Sequence, residues 1–280
     1  MSKNLYFLFG TLIAFSISIT LGILTGIDIV RNSIIISFLI HWLIFIPAYI
    51  FKTEKFFDLT GSLTYISIIL YVLISSNGFK ELNIGSLILS FFIIVWAIRL
   101  GTFLYMRIKK AGEDKRFREI KKSFNWFLMT WSFSGMWVSI CSLCAITGIS
   151  NGINFTYITY FGIILFIIGF TLEIIADNQK TSFRKKIKNK NNFISTGLWK
   201  YSRHPNYLGE IILWIGISLM SYSSLETNQI FTLISPIFTY ILLVYISGIN
   251  FLERSGEKKW GKQKDYIDYK NKTPRLLWFL

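Results

Sequence analysis

The polar residues best suited to chemistry stand directly before a long apolar run. Residues 197–210 read GLWKYSRHPNYLGE. Pro205 suits the first turn of a helix, which makes His204 the predicted N-cap. The free amide groups of such a helix start, its positive dipole end and the neighbouring Arg203 attract anions, phosphate above all. The stretch therefore predicts an anion site at the start of a membrane helix.

The same helix start carries groups that a simple anion site does not need. Asn206 and Glu210 lie one turn apart and share a helix face, which Trp214 continues. An amide and a carboxylate on one face indicate a pocket for a ligand with amide as well as phosphate groups. The alternative is an ordinary interfacial belt of Trp, Tyr and Arg, although a belt needs neither Asn206 nor Glu210.

Three acids stand at the ends of predicted membrane helices, where ionisable groups are costly and mark candidate sites. Asp58 is either an N-cap or an inward acid that hydrogen-bonds a substrate carbonyl in its protonated form, which burial favours. Glu173 and Asp177 share one face at a helix C-terminus, where the macrodipole disfavours acids. They either bind amide or ribose hydroxyl groups or are surface acids paired with Lys180 or Arg184.

Two further features could contribute to a site. Arg99 lies deep within a predicted span, where its guanidinium either faces a polar cavity or extends to the membrane surface. The C-terminal segment, residues 253–280, intersperses rings among basic residues. It is predicted either to lie flat on the membrane or to fold back as a lid over a nucleotide. Its candidate site residues are Glu253, Tyr266, Tyr269 and Arg275.

Membrane helices must position these groups, because 52% of the 280 residues are hydrophobic and 18% are aromatic. Runs of about 20 apolar residues predict bilayer-spanning helices. The fold class is therefore an all-α, polytopic transmembrane helix bundle of eight spans, or of seven if one helix of the first pair is dropped. The eight predicted spans are 5–24, 33–50, 60–76, 84–106, 126–146, 155–176, 208–222 and 230–252.

The basic residues are distributed unevenly among the predicted loops. Of the 30 Lys and Arg residues, 27 fall in the terminal segments or in connections on the same side, whereas Arg31 and Lys80 fall on the other side and Arg99 within a span. This asymmetry predicts that both termini are cytosolic. The net charge of +15 thus orients the helices and contacts anionic lipid, and no motif that would indicate nucleic-acid binding accompanies it.

The chain shows neither an internal repeat nor a separate soluble domain. Residues 1–55 are expected to be a transmembrane scaffold, in which His41 is a packed or interfacial residue rather than a ligand, and residues 56–280 to be the functional domain. Cys141 and Cys144 lie within one predicted span and are expected to serve packing. No metal site is predicted, and a monomer is expected.

Three stretches in one order resemble the steroid 5-alpha-reductase-like membrane family, in its bacterial-type branch. They are RLGTFLYMRIKKAGEDKRFREIKK (99–122), GLWKYSRHPNYLGEIILWIGISL (197–219) and ERSGEKKWGKQKDYIDYKNKTPRLLWF (253–279). The resemblance covers about residues 58–280. It implies an integral-membrane, NADPH-dependent reductase that transfers a hydride to the conjugated C=C bond of a lipidic enone such as a 3-oxo-4-ene steroid.

The resemblance also implies roles for particular residues. Asn206 matches an asparagine that contacts the cofactor, and Asp177 matches the acid at the end of the preceding helix. Asp58 is in the neighbourhood of the acid that polarises the substrate carbonyl. Trp96 stands near the expected position of that acid's tyrosine partner, and Glu173 stands where an asparagine is expected. Both are departures from the family pattern, and the first affects carbonyl activation.

The remaining candidates are cations and polar groups around the nucleotide. Arg99 matches an arginine of the cofactor-facing helix and joins Asp58 and Trp96 as a catalytic candidate. Phosphate groups need cations, for which the candidates are Arg107, Arg116, Arg184, Arg203 and Arg275. The other candidate cofactor contacts are Glu113, Asp114, Tyr201, His204, Tyr207, Glu210, Glu253, Tyr266 and Tyr269. No Rossmann glycine fingerprint is present, so a nucleotide site here would be of another kind.

Two other functions stay open. Arg-His-Pro-x-Tyr followed by glycine also resembles the isoprenylcysteine carboxyl methyltransferases, which bind S-adenosylmethionine in a basic cytosolic pocket. Their tail pattern of paired glutamates is half present, as Glu253 and Glu257. A transporter or lipid-binding scaffold is the second alternative, but no inverted pair of broken helices is apparent. The expected location is a bacterial inner membrane or a eukaryotic endoplasmic reticulum, with the cofactor site on the cytosolic side.

Overall fold

The protein is helical throughout the part of the chain that its computed structural model describes, which is residues 3–77, 83–189 and 191–277. Lys80, one of the two cations predicted on the non-cytosolic side, lies outside these residues. No described residue lies in a strand. The α-helices in these ranges are α1 Lys3–Leu24, α2 Asp28–Ile50, α3 Phe57–Asn77, α4 Ile84–Ala111, α5 Phe117–Ile120, α6 Phe124–Asn151, α7 Tyr157–Lys185, α8 Pro205–Tyr222, α9 Ile234–Ile241, α10 Ile249–Trp260 and α11 Lys264–Lys272.

Seven helical segments within the described residues are long and apolar enough to cross a membrane. They are Lys3–Leu24, Asp28–Ile50, Phe57–Ser76, Ile84–Ala111, Phe124–Asn151, Tyr157–Lys185 and Thr227–Trp260. The last combines a 3-10 segment with α9, one turn of π-helix and α10. The prediction of an all-α, polytopic transmembrane bundle is confirmed, and the seven apolar helices are consistent with an integral membrane protein.

The predicted span 208–222 is the one without a counterpart among the seven. It forms α8, which has 18 residues and is therefore about 27 Å long at 1.5 Å per residue. Its first turns hold Asn206 and Glu210, which lower its mean hydropathy. The expectation that a seven-span arrangement would lose a helix of the first pair is not met, since α1 and α2 both qualify. The cytosolic location of the termini stays a prediction.

Side-chain caps fix the starts of two long helices. Oδ1 of Asn83 accepts the amide hydrogen of Ser86 at 2.8 Å, so α4 begins at Ile84. Oγ of Ser123 accepts the amide hydrogen of Trp126 at 3.5 Å, so α6 begins at Phe124. Each cap satisfies one amide group that the helix itself leaves unpaired.

The helices divide into two compact units, which are described separately. The first comprises residues 1–159 and 220–235. Within it α6 is the most buried of the apolar helices and packs against α1, α2, α3 and α4. His41 of α2 is completely buried, and its ring nitrogens lie 2.8 Å from the Ser37 carbonyl and 3.1 Å from Oγ of Ser134. His41 is a packed residue, as expected. The predicted scaffold helices α1 and α2 belong to this same unit.

The second unit comprises residues 160–219 and 236–280. In it α7 and α8 approach each other at glycine residues spaced seven apart on each helix. A Cβ on Gly209 would lie 2.6 Å from the Gly169 carbonyl oxygen, and a Cβ on Gly216 would lie 2.6 Å from the Gly162 carbonyl oxygen. Such small residues allow close backbone packing between membrane helices. The contact holds α8 directly against α7.

We expect Gly209→Ala to destabilise the protein by about 1–3 kcal/mol, the usual cost of overpacking. The added methyl group would meet the Gly169 carbonyl oxygen and, at 2.7 Å, the Glu173 amide nitrogen, and backbone atoms cannot rotate aside. Thermal unfolding in detergent measures the effect. Gly61→Ala in α3 is the matched control, because the nearest atom to its new Cβ is Oγ of Ser134 at 3.9 Å. If both variants kept the wild-type Tm, the close contact of α7 and α8 would be wrong.

Candidate functional site

A buried tryptophan fastens the segment before α8 to α7. Residues Gly197–Lys200 form a 3-10 turn whose first residue has φ +65°, a conformation that glycine adopts without steric cost. Trp199 is buried, and its indole Nε1–H donates to the Ala176 carbonyl at 3.1 Å. The Leu198 amide donates to Oε1 of Gln179 at 3.0 Å. These bonds fix the start of the polar stretch predicted as an anion site.

Glu253 of α10 binds two successive residues at the start of α8. One carboxylate oxygen accepts from Nη1 of Arg203 at 2.9 Å, and the other contacts Nε2 of His204 at 2.7 Å. The Arg203, His204 and Glu253 side chains are only 11%, 7% and 19% exposed. The His204 carbonyl accepts the Leu208 amide at 3.1 Å, as expected of an N-cap. A partly buried ion pair therefore joins α10 to the start of α8.

A break in the last apolar segment, Thr227–Trp260, places α10 at the start of α8. One turn of π-helix, Leu242–Ile246, ends where the Ser247 amide donates to the Leu242 carbonyl at 2.9 Å. Gly248 follows, and a Cβ on it would overlap the Leu243 carbonyl oxygen and lie 3.2 Å from the Tyr207 ring. Only glycine permits this approach. Insertions of π-helix of this kind are frequent at functional sites.

The C-terminal segment folds back onto the loop that precedes α8. The tail was predicted either to lie flat on the membrane or to fold back as a lid over a nucleotide. The structure shows it folded back, and its role as a lid stays a prediction. Two tail side chains donate to this loop: the Tyr269 hydroxyl to the Trp199 carbonyl at 2.6 Å, and Oγ1 of Thr273 to the Lys200 carbonyl at 3.2 Å. The loop in turn donates to the tail, from the Arg203 amide to the Pro274 carbonyl at 3.0 Å and from Oγ of Ser202 to the Arg275 carbonyl at 3.3 Å. Nη2 of Arg275 also donates to Oδ1 of Asn250 in α10 at 2.6 Å.

Aromatic packing supports the folded-back tail. The ring of Phe193 lies 5.9 Å from that of Trp260, 5.0 Å from that of Tyr266 and 5.3 Å from that of Tyr269. Nε1 of Trp260 donates to the Asn191 carbonyl at 2.6 Å. Burial raises the pKa of both the Tyr266 and the Tyr269 hydroxyl. Tyr269 therefore stays a protonated donor to Trp199.

Four buried polar atoms of this cluster have no hydrogen-bond partner among the described residues. They are Nε of Arg203, Nδ1 of His204, Oδ1 of Asn206 and Nε of Arg275. A buried polar group without a partner costs about 1–3 kcal/mol, and such groups need an explanation. Two of the four are guanidinium N–H donors at the amide-rich start of a helix, which fits phosphate oxygens. The predicted anion site thus has unused hydrogen-bonding capacity.

The predicted acids of α7 and α8 are buried. Glu173, Asp177 and Glu210 are 2%, 5% and 7% exposed, so the first two are not surface acids. The glycine contact places the backbone of Glu173 against α8 at Gly209.

Two predicted cofactor residues of this unit lie at its surface. Arg184 is exposed in the last turn of α7, and Tyr201 is 71% exposed. Tyr201 therefore points away from the buried groups of its neighbours Arg203 and His204. The structure brings together Arg203, His204, Tyr207, Glu253, Tyr269 and Arg275. Asn206 lies in the first turn of α8.

The other predicted site residues belong to the first unit. Asp58 is the second residue of α3 and thus lies inside the helix rather than at its N-cap. Arg116 and Arg107 are close enough to act on its charge, as is Asp114. Nε of Arg116 binds both carboxylate oxygens of Asp114, at 3.0 and 2.9 Å, and this guanidinium holds the Asp114 pKa below its usual value although burial acts in the opposite direction. Glu113 pairs with Arg118.

Glu54 is not among the predicted site residues, yet it anchors the basic segment 112–122. Its side chain is 2% exposed; Oε1 accepts the Asp114 amide at 2.9 Å and Oε2 binds Nζ of Lys121 at 2.6 Å. The sequence offers no signal for this role, because an acid between Lys52 and Lys55 is typical of a solvated loop.

Trp96 and Arg99 both contact aromatic rings. Trp96 is buried, and its ring lies 5.2 Å from that of Tyr65 in an edge-to-face arrangement. The guanidinium of Arg99 lies 5.2 Å from the centre of the Phe103 ring, a cation–π distance. The phenol ring of Tyr65 thus lies beside Trp96, which stands near the position where the family pattern has a tyrosine.

Within residues 3–77, 83–189 and 191–277, no group of three or more His, Cys, Asp or Glu side chains could hold a metal ion.

A family model described as "Protein of unknown function (DUF1295)" matches residues 44–273. The chain therefore belongs to this family of membrane proteins. No curated protein and no solved structure matches it significantly.

We expect Glu54→Ala to loosen residues 112–122 by about 1–3 kcal/mol, because the Asp114 amide and Lys121 lose a buried acceptor. Hydrogen exchange of the amides in this segment measures the change. Lys122→Ala is the control, since it breaks a pair with Glu119 whose side chains are 68% and 69% exposed, and such pairs contribute little. Equal protection in both variants would show that Glu54 does not anchor the loop.

Proposed function

We propose that this protein is a membrane-embedded, NADPH-dependent reductase that transfers a hydride to the conjugated C=C bond of a lipidic enone of steroid-like type. The observation that carries the proposal is the pair of buried guanidinium Nε–H groups of Arg203 and Arg275, which have no hydrogen-bond partner among the described residues. These groups fit the diphosphate and 2′-phosphate of NADPH. The steroid 5-alpha-reductase-like sequence pattern favours a nicotinamide nucleotide.

The residues of the second unit would bind and shield the nucleotide. NADPH, when bound, supplies the hydride. Arg203 and Arg275 would bind phosphate oxygens, while Asn206 and Glu210 would orient the nicotinamide carboxamide. The folded-back tail would exclude water from these groups, which strengthens their electrostatic interactions. The basic segments support a cytosolic location of this site, and a monomer contains all of these groups.

Asp58 would act on the substrate. In its protonated form it would hold its proton toward the ketone oxygen and stabilise the charge that develops there as hydride reaches the β-carbon. The net reaction adds a hydride to the β-carbon and a proton to the α-carbon, so the C=C bond becomes CH–CH and the ketone is retained. A lipidic substrate would reach the protein from the bilayer.

A second candidate is an S-adenosylmethionine-dependent methyltransferase. The contact of Glu253 with Arg203 and His204 favours it, because it joins the Arg-His-Pro-x-Tyr motif to one of the two tail glutamates of the methyltransferase pattern. Binding of the two nucleotides separates these functions.

We expect NADPH to quench the tryptophan fluorescence of the detergent-purified protein and S-adenosylmethionine to leave it unchanged, since Trp199 lies in the loop next to the site. Arg203→Ala should weaken NADPH binding roughly ten- to hundredfold, the effect of losing a bond to a charged group. Asn206→Ala should weaken it roughly two- to tenfold, the effect of losing a bond between neutral groups.

The control for these variants is Arg254→Ala. Arg254 is exposed on α10 next to Glu253, so its loss removes the same charge without removing a buried donor. A response to S-adenosylmethionine alone would end the reductase proposal. Equal NADPH affinity in all four proteins would place the nucleotide elsewhere.

We expect Asp58→Leu to abolish enone reduction and Asp58→Asn to retain part of it, because Asn still donates a neutral hydrogen bond. Loss of such a donor typically lowers the rate about 10²–10³-fold, while NADPH affinity should not change. Asp28→Asn is the control, as Asp28 also opens a membrane helix but its side chain is 81% exposed. Wild-type turnover by the Leu variant would exclude a role of Asp58 at the carbonyl.

A further inference from the structure

The two ring nitrogens of His204 have different surroundings. Nε2 lies 2.7 Å from a carboxylate oxygen of Glu253, whereas Nδ1 is buried and has no hydrogen-bond partner among the described residues. His204 is 5% exposed. A neutral imidazole carries one N–H donor and one acceptor nitrogen, and its partner decides which is which.

Glu253 can only accept hydrogen bonds when it is ionised, and it also accepts one from Arg203. Nε2 of His204 must therefore carry the hydrogen. Burial lowers the pKa of His204; the Lys180 and Arg203 charges act in the same direction, and Glu253 opposes them. The ring is accordingly neutral near pH 7, which leaves a lone pair on Nδ1.

His41 shows the opposite arrangement in the same chain. Its Nδ1 lies 2.8 Å from the Ser37 carbonyl oxygen, which cannot donate, so Nδ1 carries the hydrogen. Its Nε2 faces the Ser134 hydroxyl, which can donate. His41 and His204 are the chain's two histidines, and the structure thus assigns them opposite tautomers.

We propose that Glu253 fixes His204 as the Nε2–H tautomer, so that Nδ1 acts as a buried acceptor that selects a ligand with an O–H or N–H donor close to its anionic groups. The identity of that ligand as NADPH rests on the proposed function. Arg203 and Arg275 would bind the anion, and Nδ1 would bind either the carboxamide N–H or a ribose hydroxyl. Glu253 is then a positioning residue, acting through His204.

The tautomer can be tested without any ligand. In protein labelled with ¹⁵N-histidine, we expect one neutral ring with its hydrogen on Nδ1, which is His41, and one with its hydrogen on Nε2, assigned to His204 by its loss in His204→Asn. Two rings with the hydrogen on Nδ1 would overturn the proposal, whether or not the protein binds NADPH. The tautomer measurement can therefore refute this inference without refuting the proposed function.

Glu253→Gln should reverse the direction of the hydrogen bond between residue 253 and Nε2 of His204. The Gln carbonyl oxygen would accept from Arg203, and its NH₂ group would face Nε2 of His204, which moves the ring hydrogen to Nδ1. We expect the spectrum to show this change. Asp268→Asn, which removes an exposed charge from α11, should leave it as in the wild type. An unchanged His204 ring in folded Glu253→Gln protein would show that Glu253 does not set the tautomer.

Affinity for two NADP⁺ analogues shows what Nδ1 selects. One analogue carries acetyl in place of the carboxamide, and the other lacks a ribose hydroxyl. The wild type should bind one of them roughly tenfold more weakly than NADP⁺, because a buried acceptor is left unpaired. Glu253→Gln should bind that analogue and NADP⁺ equally. The affected analogue identifies the donor, and equal affinity of the wild type for all three nucleotides would refute selection by Nδ1.

Discussion

The arrangement at the start of α8 depends on one carboxylate. Glu253 binds Arg203 and His204, which lie 50 and 49 residues earlier in the chain. Removing one partner of a buried ion pair costs about 3–5 kcal/mol, because the other charge stays buried and unpaired. The pair alone is weak evidence for stability, since two apolar residues could pack equally well. What an apolar pair could not provide is a fixed orientation of a guanidinium and an imidazole.

The backbone around this carboxylate is shaped by two close approaches. Gly209 lets α8 pack directly on α7, and Gly248 lets α10 restart beside Tyr207 after the π-helical turn. Neither approach tolerates a side chain. The tail then binds the loop before α8 mainly through backbone carbonyls, a mode that depends on chain position more than on residue type. The second unit therefore combines closely packed helices with a C-terminal segment that is held by hydrogen bonds.

Hydropathy and charge predicted the architecture but not these contacts. The apolar runs are local signals, so the helices could be read from the sequence; α8 is less apolar than the seven candidate spans because Asn206 and Glu210 occupy its first turns. Pro205 and His204 likewise marked the start of α8. By contrast, the contact of Glu253 with Arg203 joins residues 50 positions apart, and the role of Glu54 depends on Lys121, 67 positions later. No local pattern encodes such pairs.

The exposed fractions of the side chains in residues 197–210 bear on whether this stretch forms an interfacial belt. Belt residues place their rings and cations at the lipid–water boundary, and Tyr201, which is 71% exposed, fits that role. Arg203 and His204 do not, because their side chains are 11% and 7% exposed and bind Glu253. Burying a cation, an imidazole and an amide oxygen is costly unless each is hydrogen-bonded. Part of each group stays unpartnered, so desolvation argues against a belt role for Arg203 and His204, and the binding site stays a proposal.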